Sequence, residues 1–313
     1  MKHLLLVTTF LVSVSAFAEI KVIYGNDNRK DVYQASNALH LKLAKSTAGM
    51  INLRKLAKGS SANVYDLLGS PTLERAQNLC TSEAFAQQPT APNCSGFLIG
   101  PDLIVTAGHC YKSMGTPEGT CKSYAWVFDY AMTSAGANPT KNISLNNVYL
   151  CKSVVHAQLD DKNDFAIVRL DRKVVGREPL KLRTTGKISD KASLLVIGHP
   201  SGLPTKISDG AKVTLNTLPS TFSTTLDTFA GNSGSAVFDA VSGQVEGILI
   251  QGKTDYRPSI ATNPGSCQVV NKCDENGNNC TAGVDVGPVA SGEVVYRIQQ
   301  IALKIKTATV PKK

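Results

Sequence analysis

The apolar residues of this chain fall in short runs divided by polar punctuation. Residues 97–99, 103–106, 125–128, 165–170, 194–197, 236–238 and 245–250 are each of strand length and rich in Val, Ile and Phe. Turn signals such as Gly100-Pro101-Asp102 and the stretch 239–243 lie between them. The runs are too short for a helical period to develop, and many short strands with regular turns predict an all-β sandwich or barrel. Residues 172–192, with Gly176, Pro179 and Gly186, predict the connection between two β-units. Residues 46–53 predict an early strand, and 72–85 has helical character. The segment 19–90 reads as a propeptide or as an elaborated edge of the first unit, and the second reading is favoured.

The C-terminus has a different period. Val294, Val295, Ile298, Ile301, Ala302 and Ile305 recur at steps of three and four, Glu293 opens the segment, and Lys304 and Lys306 lie in its last turn. That order of charge suits a helix dipole, so an amphipathic helix from 293, with a tail to 313, is predicted to pack on a β-domain. Its apolar face is narrow and its polar face is not uniformly basic, which argues against a membrane-surface role.

The first residues read as an export signal. Lys2 precedes an apolar run from Leu4 to Phe17, and Ala16-Phe17-Ala18 is a small-x-small cleavage site. Residues 1–18 are therefore expected to be removed near Ala18, giving a secreted or periplasmic chain. The run is short for a membrane anchor, and no other window reaches the roughly 18 apolar residues that a span needs. Stable membrane insertion is not expected.

Composition narrows the reading further. With 313 residues and 42% hydrophobic, the chain can bury a real core. The formal net charge of +9 comes without any run of like charges, so it reads as a solubilising surface, with no nucleic-acid partner expected. Eight cysteines, an even count behind a signal segment, predict disulfides. No CxxC pair and no histidine set at zinc spacing is present, and the stretch 274–278 has its glycine in the wrong place for a calcium loop, so no metal is expected.

Three local frames carry chemistry. In Leu103-Ile104-Val105-Thr106-Ala107-Gly108-His109-Cys110 an apolar strand delivers a histidine at its end, and Cys94-Ser95-Gly96 precedes it. The span from Cys94 to Cys110 is hairpin-sized, and a disulfide could close it beside the histidine. In Gly231-Asn232-Ser233-Gly234-Ser235 glycines on both sides permit a tight turn that exposes a serine hydroxyl. They also let the N–H groups of Gly231 and Ser233 converge on one point, as an oxyanion requires. In Asn163-Asp164 a carboxylate stands where an apolar strand begins, which suits an acid that must be shielded and hydrogen-bonded to imidazole. Asp160 and Asp161 compete for that role but have no apolar run attached. A serine hydroxyl is nearly inert alone and needs a base and an orienting acid.

On these residues the chain resembles the trypsin/chymotrypsin-like serine peptidases. The TAGHC frame with its upstream CSG and the GNSGS loop carry the likeness, which is nearest the bacterial glutamyl endopeptidase branch. The order His109, Asp164, Ser233 matches the chymotrypsin order. The resemblance implies an all-β fold of two packed antiparallel six-stranded β-barrels, at 91–180 and 181–292, with the C-terminal α-helix at 293–313. It implies a peptide or protein substrate, no cofactor, and a monomer. It implies His109 as general base, Asp164 as its orienting acid, Ser233 as nucleophile, and Gly231 and Ser233 as oxyanion donors.

Specificity is read from the same resemblance. Asp227 stands six residues before Ser233, the offset of the acid that selects Lys or Arg in trypsin. It would be a buried negative charge seeking a cation, or else a loop aspartate facing solvent. Thr228 would line the same pocket, and Ile250 and Gly252 would offer backbone to an extended peptide. No histidine lies in 247–252, so glutamate specificity is not expected. Asn232 replaces the aspartate that pairs with a new N-terminus in digestive relatives, which puts that activation switch in doubt. His199 reads as structural and His156 as a surface residue. Cys94–Cys110 is the expected disulfide and Cys121–Cys151 the next, while Cys80, Cys267, Cys273 and Cys280 allow three pairings. Two rival classes share these residues: a non-catalytic binding protein on a peptidase fold, and an esterase using the same three groups.

Overall fold

The computed structural model describes residues 22–281 and 292–309. The expected signal segment 1–18 with its cut near Ala18, and the tail beyond 309, lie outside the described residues.

The apolar runs form strands. The first six are β1 (Thr47–Asn52), β2 (Cys94–Gly100), β3 (Leu103–Thr106), β4 (Tyr124–Phe128), β5 (Val148–Asp160) and β6 (Asn163–Leu170). They close into an antiparallel barrel in the order β1-β2-β3-β6-β5-β4. The next six are β7 (Ser193–Gly198), β8 (Lys206–Leu215), β9 (Thr221–Thr224), β10 (Ala236–Asp239), β11 (Val245–Gln251) and β12 (Glu293–Arg297). They close in the order β7-β8-β9-β12-β11-β10, the same topology over again, although the sequence holds no visible repeat. The connection between the barrels runs without strand from Leu170 to Ser193.

Strands at the junction are buried on both faces, so they lack a polar alternation. All seven residues of β2 are buried. One hydrophobic cluster spans the two barrels, joining Phe97, Val105 and Trp126 of the first to Leu195, Phe238 and Ile248 of the second. The interior of the second barrel is a separate cluster around Phe222, Leu249 and Val295.

The C-terminal segment corrects the expectation of a helix from Glu293. Residues Glu293–Arg297 are β12, and only Ala302–Thr309 form the helix, α1, after a 3-10 turn at Ile298–Ile301. The apolar spacing was read straight through a strand-to-helix junction. The strand is buried on nearly every residue and so shows no period of two. Beyond it, Ile298, Ile301, Ile305 and Ala308 join the shared cluster. Arg169 of β6 donates to the Ala308 carbonyl at 2.6 Å, docking α1 back onto the first barrel.

Residues 22–90 are woven into both barrels. Thr47–Asn52 is a strand of the first, and Arg29–Asp31 pairs with β8 of the second. The Lys206 ammonium, 1% exposed, bonds Asp31 at 2.5 Å and Gln88 at 2.7 Å. Burial lowers its pKa to about 8, against the pull of Asp31. Excision of 19–90 would remove a barrel strand and leave that ammonium without its carboxylate. Four disulfides are present: Cys94–Cys110 and Cys121–Cys151, as expected, with Cys80–Cys267 and Cys273–Cys280. Such density belongs to chains that fold in an oxidising compartment. Among the described residues no helix is long and apolar enough to cross a membrane.

The packing of the C-terminal segment makes a prediction. Ile301 is fully buried and Leu303 is 79% exposed. Ile301→Ala should cost about 2–5 kcal/mol of unfolding free energy and Leu303→Ala under about 0.5, measured by chemical denaturation.

Candidate active site

Each of the three frames is delivered by a strand end. His109 leaves β3 and opens a helical turn, His109–Lys112, and the Cys94–Cys110 disulfide ties that turn to the start of β2. Asp164 is the second residue of β6, opposite Leu159 of β5. Its carboxylate grips the histidine twice. Asp164 Oδ1 accepts the main-chain N–H of His109 at 2.9 Å, and Asp164 Oδ2 lies 2.7 Å from His109 Nδ1. A carboxylate oxygen of this kind accepts, so the Nδ1 proton is directed at Asp164 and Nε2 is left as the basic nitrogen.

Ser233 sits in the loop between β9 and β10, and Ser95 of β2 holds that loop. The Ser95 N–H donates to the Ser233 carbonyl at 2.8 Å, and its hydroxyl donates to the Gly231 carbonyl at 2.7 Å. The same hydroxyl accepts from the His199 N–H at 2.9 Å, and the Ser95 carbonyl accepts from the Thr106 hydroxyl at 2.7 Å. Cys110 Sγ lies 3.7 Å from the Ser233 carbonyl. Gly234 presses against the residues that lead to His109. A Cβ there would stand 2.2 Å from both Ser95 O and Thr106 Oγ1, and its φ of +87° suits glycine alone. These contacts bring His109, Asp164 and the Ser233 loop together where the barrels meet. In the loop, Asn232 N–H donates to Phe229, Gly234 N–H to Leu249 and Ser235 N–H to Asn232.

The competing groups have other work. Asp160 caps the β5–β6 hairpin, accepting from Asn163, Lys162 and Gln158, and those bonds, Asn163's first, pull its pKa to about 2. His156 is exposed on β5. His199 is fully buried, with Nδ1 3.1 Å from the Leu203 carbonyl. Cys94 and Cys110 cluster with His109, but their sulfurs are bonded to each other and offer no thiolate to a metal. Asn232 Oδ1 accepts from the Ser235 hydroxyl at 3.2 Å.

The specificity residues have partners that the sequence did not mark. Asp227 is 2% exposed, so it does not face solvent. Each of its two oxygens accepts one main-chain N–H, from Tyr24 and from Asn28, at 2.8 Å. Burial nevertheless pushes its pKa up to about 7. Thr228 donates its hydroxyl to Glu293, a fully buried carboxylate that also accepts from Tyr24 Oη at 3.2 Å and Lys253 N at 3.1 Å. Gly252 lies so close to Glu293 that a Cβ would stand 1.9 Å from its Oε2. Ile250, half-buried, is near the end of β11. Tyr24 and Glu293 were missed because nothing local marks them: one is more than 200 positions from Asp227 and the other lay in a segment read as helix.

Two closed antiparallel six-stranded barrels with the three frames at their junction define the chymotrypsin-like fold. Residues 94–248 match the trypsin-like peptidase domain. No curated protein matches the chain. Among solved structures it is similar to the Vibrio cholerae VesB protease, at 12% identity and a TM-score of 0.51, covering 92% of this chain and 68% of that one. It is also similar to a Glu endopeptidase, at 16% identity and 0.49, covering 92% and 99%. The Rv3671c protease of M. tuberculosis aligns at 14% identity and 0.45, covering 96% of each chain. At 12% identity the likeness to the VesB protease speaks for the fold alone.

His199 yields a pH prediction. Burial lowers its pKa to about 4, with Lys206 adding to the effect. The unfolded imidazole titrates near 6.5, so as pH falls the unfolded chain takes up the proton first. The His199 contribution is therefore fully present above about pH 6.5 and is lost between about 6.5 and 4. In His199→Asn an amide nitrogen replaces Nδ1. The stability difference between wild type and variant, from urea midpoints, should shrink across that window. A difference independent of pH would contradict the assignment.

Proposed function

We propose that the chain is a secreted serine endopeptidase that hydrolyses peptide bonds through an acyl-enzyme. The observation that carries this reading is the double grip of Asp164 on His109 beside the Ser233 loop. Ser233 Oγ attacks the scissile carbonyl while His109 Nε2 takes its proton. The carbonyl oxygen becomes an oxyanion received by the N–H groups of Gly231 and Ser233. The C–N bond breaks as His109 returns the proton to the leaving amine. Water then attacks the acyl ester by the same route and releases the acid. Asp164 orients the imidazole and stabilises its protonated form. Ile250 and Gly252 receive the peptide as an added strand. Export through residues 1–18 agrees with the four disulfides, and the enzyme acts as a monomer on peptide or protein substrates.

A preference for Lys or Arg before the cut is the finer part of this reading. Asp227 is buried and already bonds the Tyr24 and Asn28 amides, which gives it a structural role beside any reading of a cation. With residues 22–28 in place, Asp227→Asn should change the hydrolysis of Lys, Arg and apolar peptides by one common factor. Selective loss of the Lys and Arg substrates would instead give Asp227 the reader's role.

The reading is tested with a fluorophosphonate probe and a peptide substrate. The wild type should label and turn over, and Ser233→Ala should do neither, with kcat lower by about 10⁴–10⁶. A near-normal rate in Ser233→Ala would defeat it. No labelling of a folded wild type would favour a binding protein, and turnover of esters without amides would favour an esterase.

A further inference from the structure

The Gly231 N–H can serve an oxyanion only if the peptide plane that carries it is held. In a trans peptide the C=O and N–H point to opposite sides, so whatever fixes the Ala230 carbonyl also fixes the direction of the Gly231 N–H. Ala230 is held on both of its backbone groups. Its carbonyl accepts the N–H of Ser201. Its N–H donates to the Asp255 carboxylate at 2.9 Å.

Both partners are themselves anchored. Ser201 lies in the turn after β7 with a left-handed φ of 52°, and its hydroxyl is 2.6 Å from that of Tyr256. The turn is closed by bonds from Gly202 N–H to His199 O at 3.0 Å and from Leu203 N–H to Pro200 O at 2.9 Å. Ala91 N–H pins it from outside by donating to Gly202 O at 2.9 Å. Gly231 packs directly on it. A Cβ there would lie 2.6 Å from His199 O and 2.9 Å from Gly202 N, and its φ is +90°. Asp255 belongs to the excursion between β11 and β12. Its carbonyl accepts from Asn271 N–H at 2.8 Å, and the Cys80–Cys267 disulfide ties the excursion to the segment before β2.

We infer that Asp255 and Ser201 are positioning residues for the oxyanion site: between them they clamp the Ala230 backbone so that the Gly231 N–H points at the carbonyl under attack. The inference rests on the acyl-transfer reading of Ser233. Both act through the backbone of Ala230. The clamp acts on the transition state and leaves ground-state binding largely alone, because the oxygen reaches the Gly231 N–H fully only as it acquires charge.

The test compares the intact enzyme with Asp255→Ala and Asp255→Asn, measuring kcat, KM, melting temperature and inhibition by a peptide aldehyde. The hemiacetal oxygen of the aldehyde takes the oxyanion's place. Asp255→Ala should lower kcat about 10- to 100-fold, less than the roughly 10²–10³ for losing a donor outright, with KM within about threefold. Aldehyde affinity should fall by the same factor as kcat/KM. Asp255→Asn keeps an oxygen that accepts from Ala230 and should recover most of the rate. Unchanged kcat in Asp255→Ala, or a loss confined to KM or melting temperature with aldehyde affinity intact, overturns the inference. Should Asp255→Ala not fold, Tyr256→Phe removes one hydroxyl behind Ser201 and should lower kcat at constant KM, and an unchanged kcat there overturns it equally. A wild type that neither labels with fluorophosphonate nor turns over removes the acyl-transfer reading and this inference with it. An active wild type beside an unimpaired Asp255→Ala removes the clamp alone.

Discussion

The geometry of the site hangs on one buried serine. Ser95, fully inaccessible, stands on β2 of the first barrel and spends its main-chain N–H and its hydroxyl on two carbonyls of the Ser233 loop. Its hydroxyl oxygen also receives the His199 amide, and its carbonyl receives Thr106. Each of these groups, unpaired in a dry junction, would cost about 1–3 kcal/mol. A small slip of one barrel against the other would break several of the bonds at once. Cys94, the preceding residue, carries the disulfide to Cys110, so adjacent positions hold the histidine covalently and the serine loop by hydrogen bonds.

What was legible in the sequence is what local chemistry states. The TAGHC strand end, the GNSGS turn and the carboxylate before the run 165–170 are contiguous, and each lies on the strand or loop its own residues predict. The misreading of the C-terminal segment has a physical cause, burial on both sides. A strand with no exposed face has no period of two, so Glu293–Arg297 was absorbed into the helical spacing that follows it. Asp227 is a different case. Its offset from Ser233 was readable, but its partners are amides of Tyr24 and Asn28, and a backbone N–H leaves no mark in a sequence. The same holds for Ser201 and Asp255, which act on backbone groups of Ala230.

The N-terminal residues deserve weight as architecture. Arg29 is buried over Phe229, its guanidinium 4.2 Å from the ring, and bonds Asp27 at 2.7 Å. Asp31 neutralises Lys206 two residues further on. Burying such charges is tolerable only while both partners are present, so the Asp31–Lys206 pair locks the segment 22–31 to the second barrel. Asp227 fits this pattern. Beside Ser233, Asn232 has its oxygen satisfied by Ser235. The buried carboxylate that receives the N-terminal region is Asp227, met by the main-chain amides of Tyr24 and Asn28.

The two barrels share one strand order, and each braces the segment that the other contributes. From the first barrel, Ser95 steadies the loop of Ser233. From the second, Tyr296 of β12 donates its hydroxyl to Asn163 at 2.9 Å and stacks on Phe165, the two neighbours of Asp164. The acid that orients His109 is thus flanked on both sides by a ring that enters from the opposite barrel. The helix that follows β12 returns to the first barrel through Arg169 and Ala308. Strain introduced at either face of the junction therefore reaches both the imidazole side and the serine side.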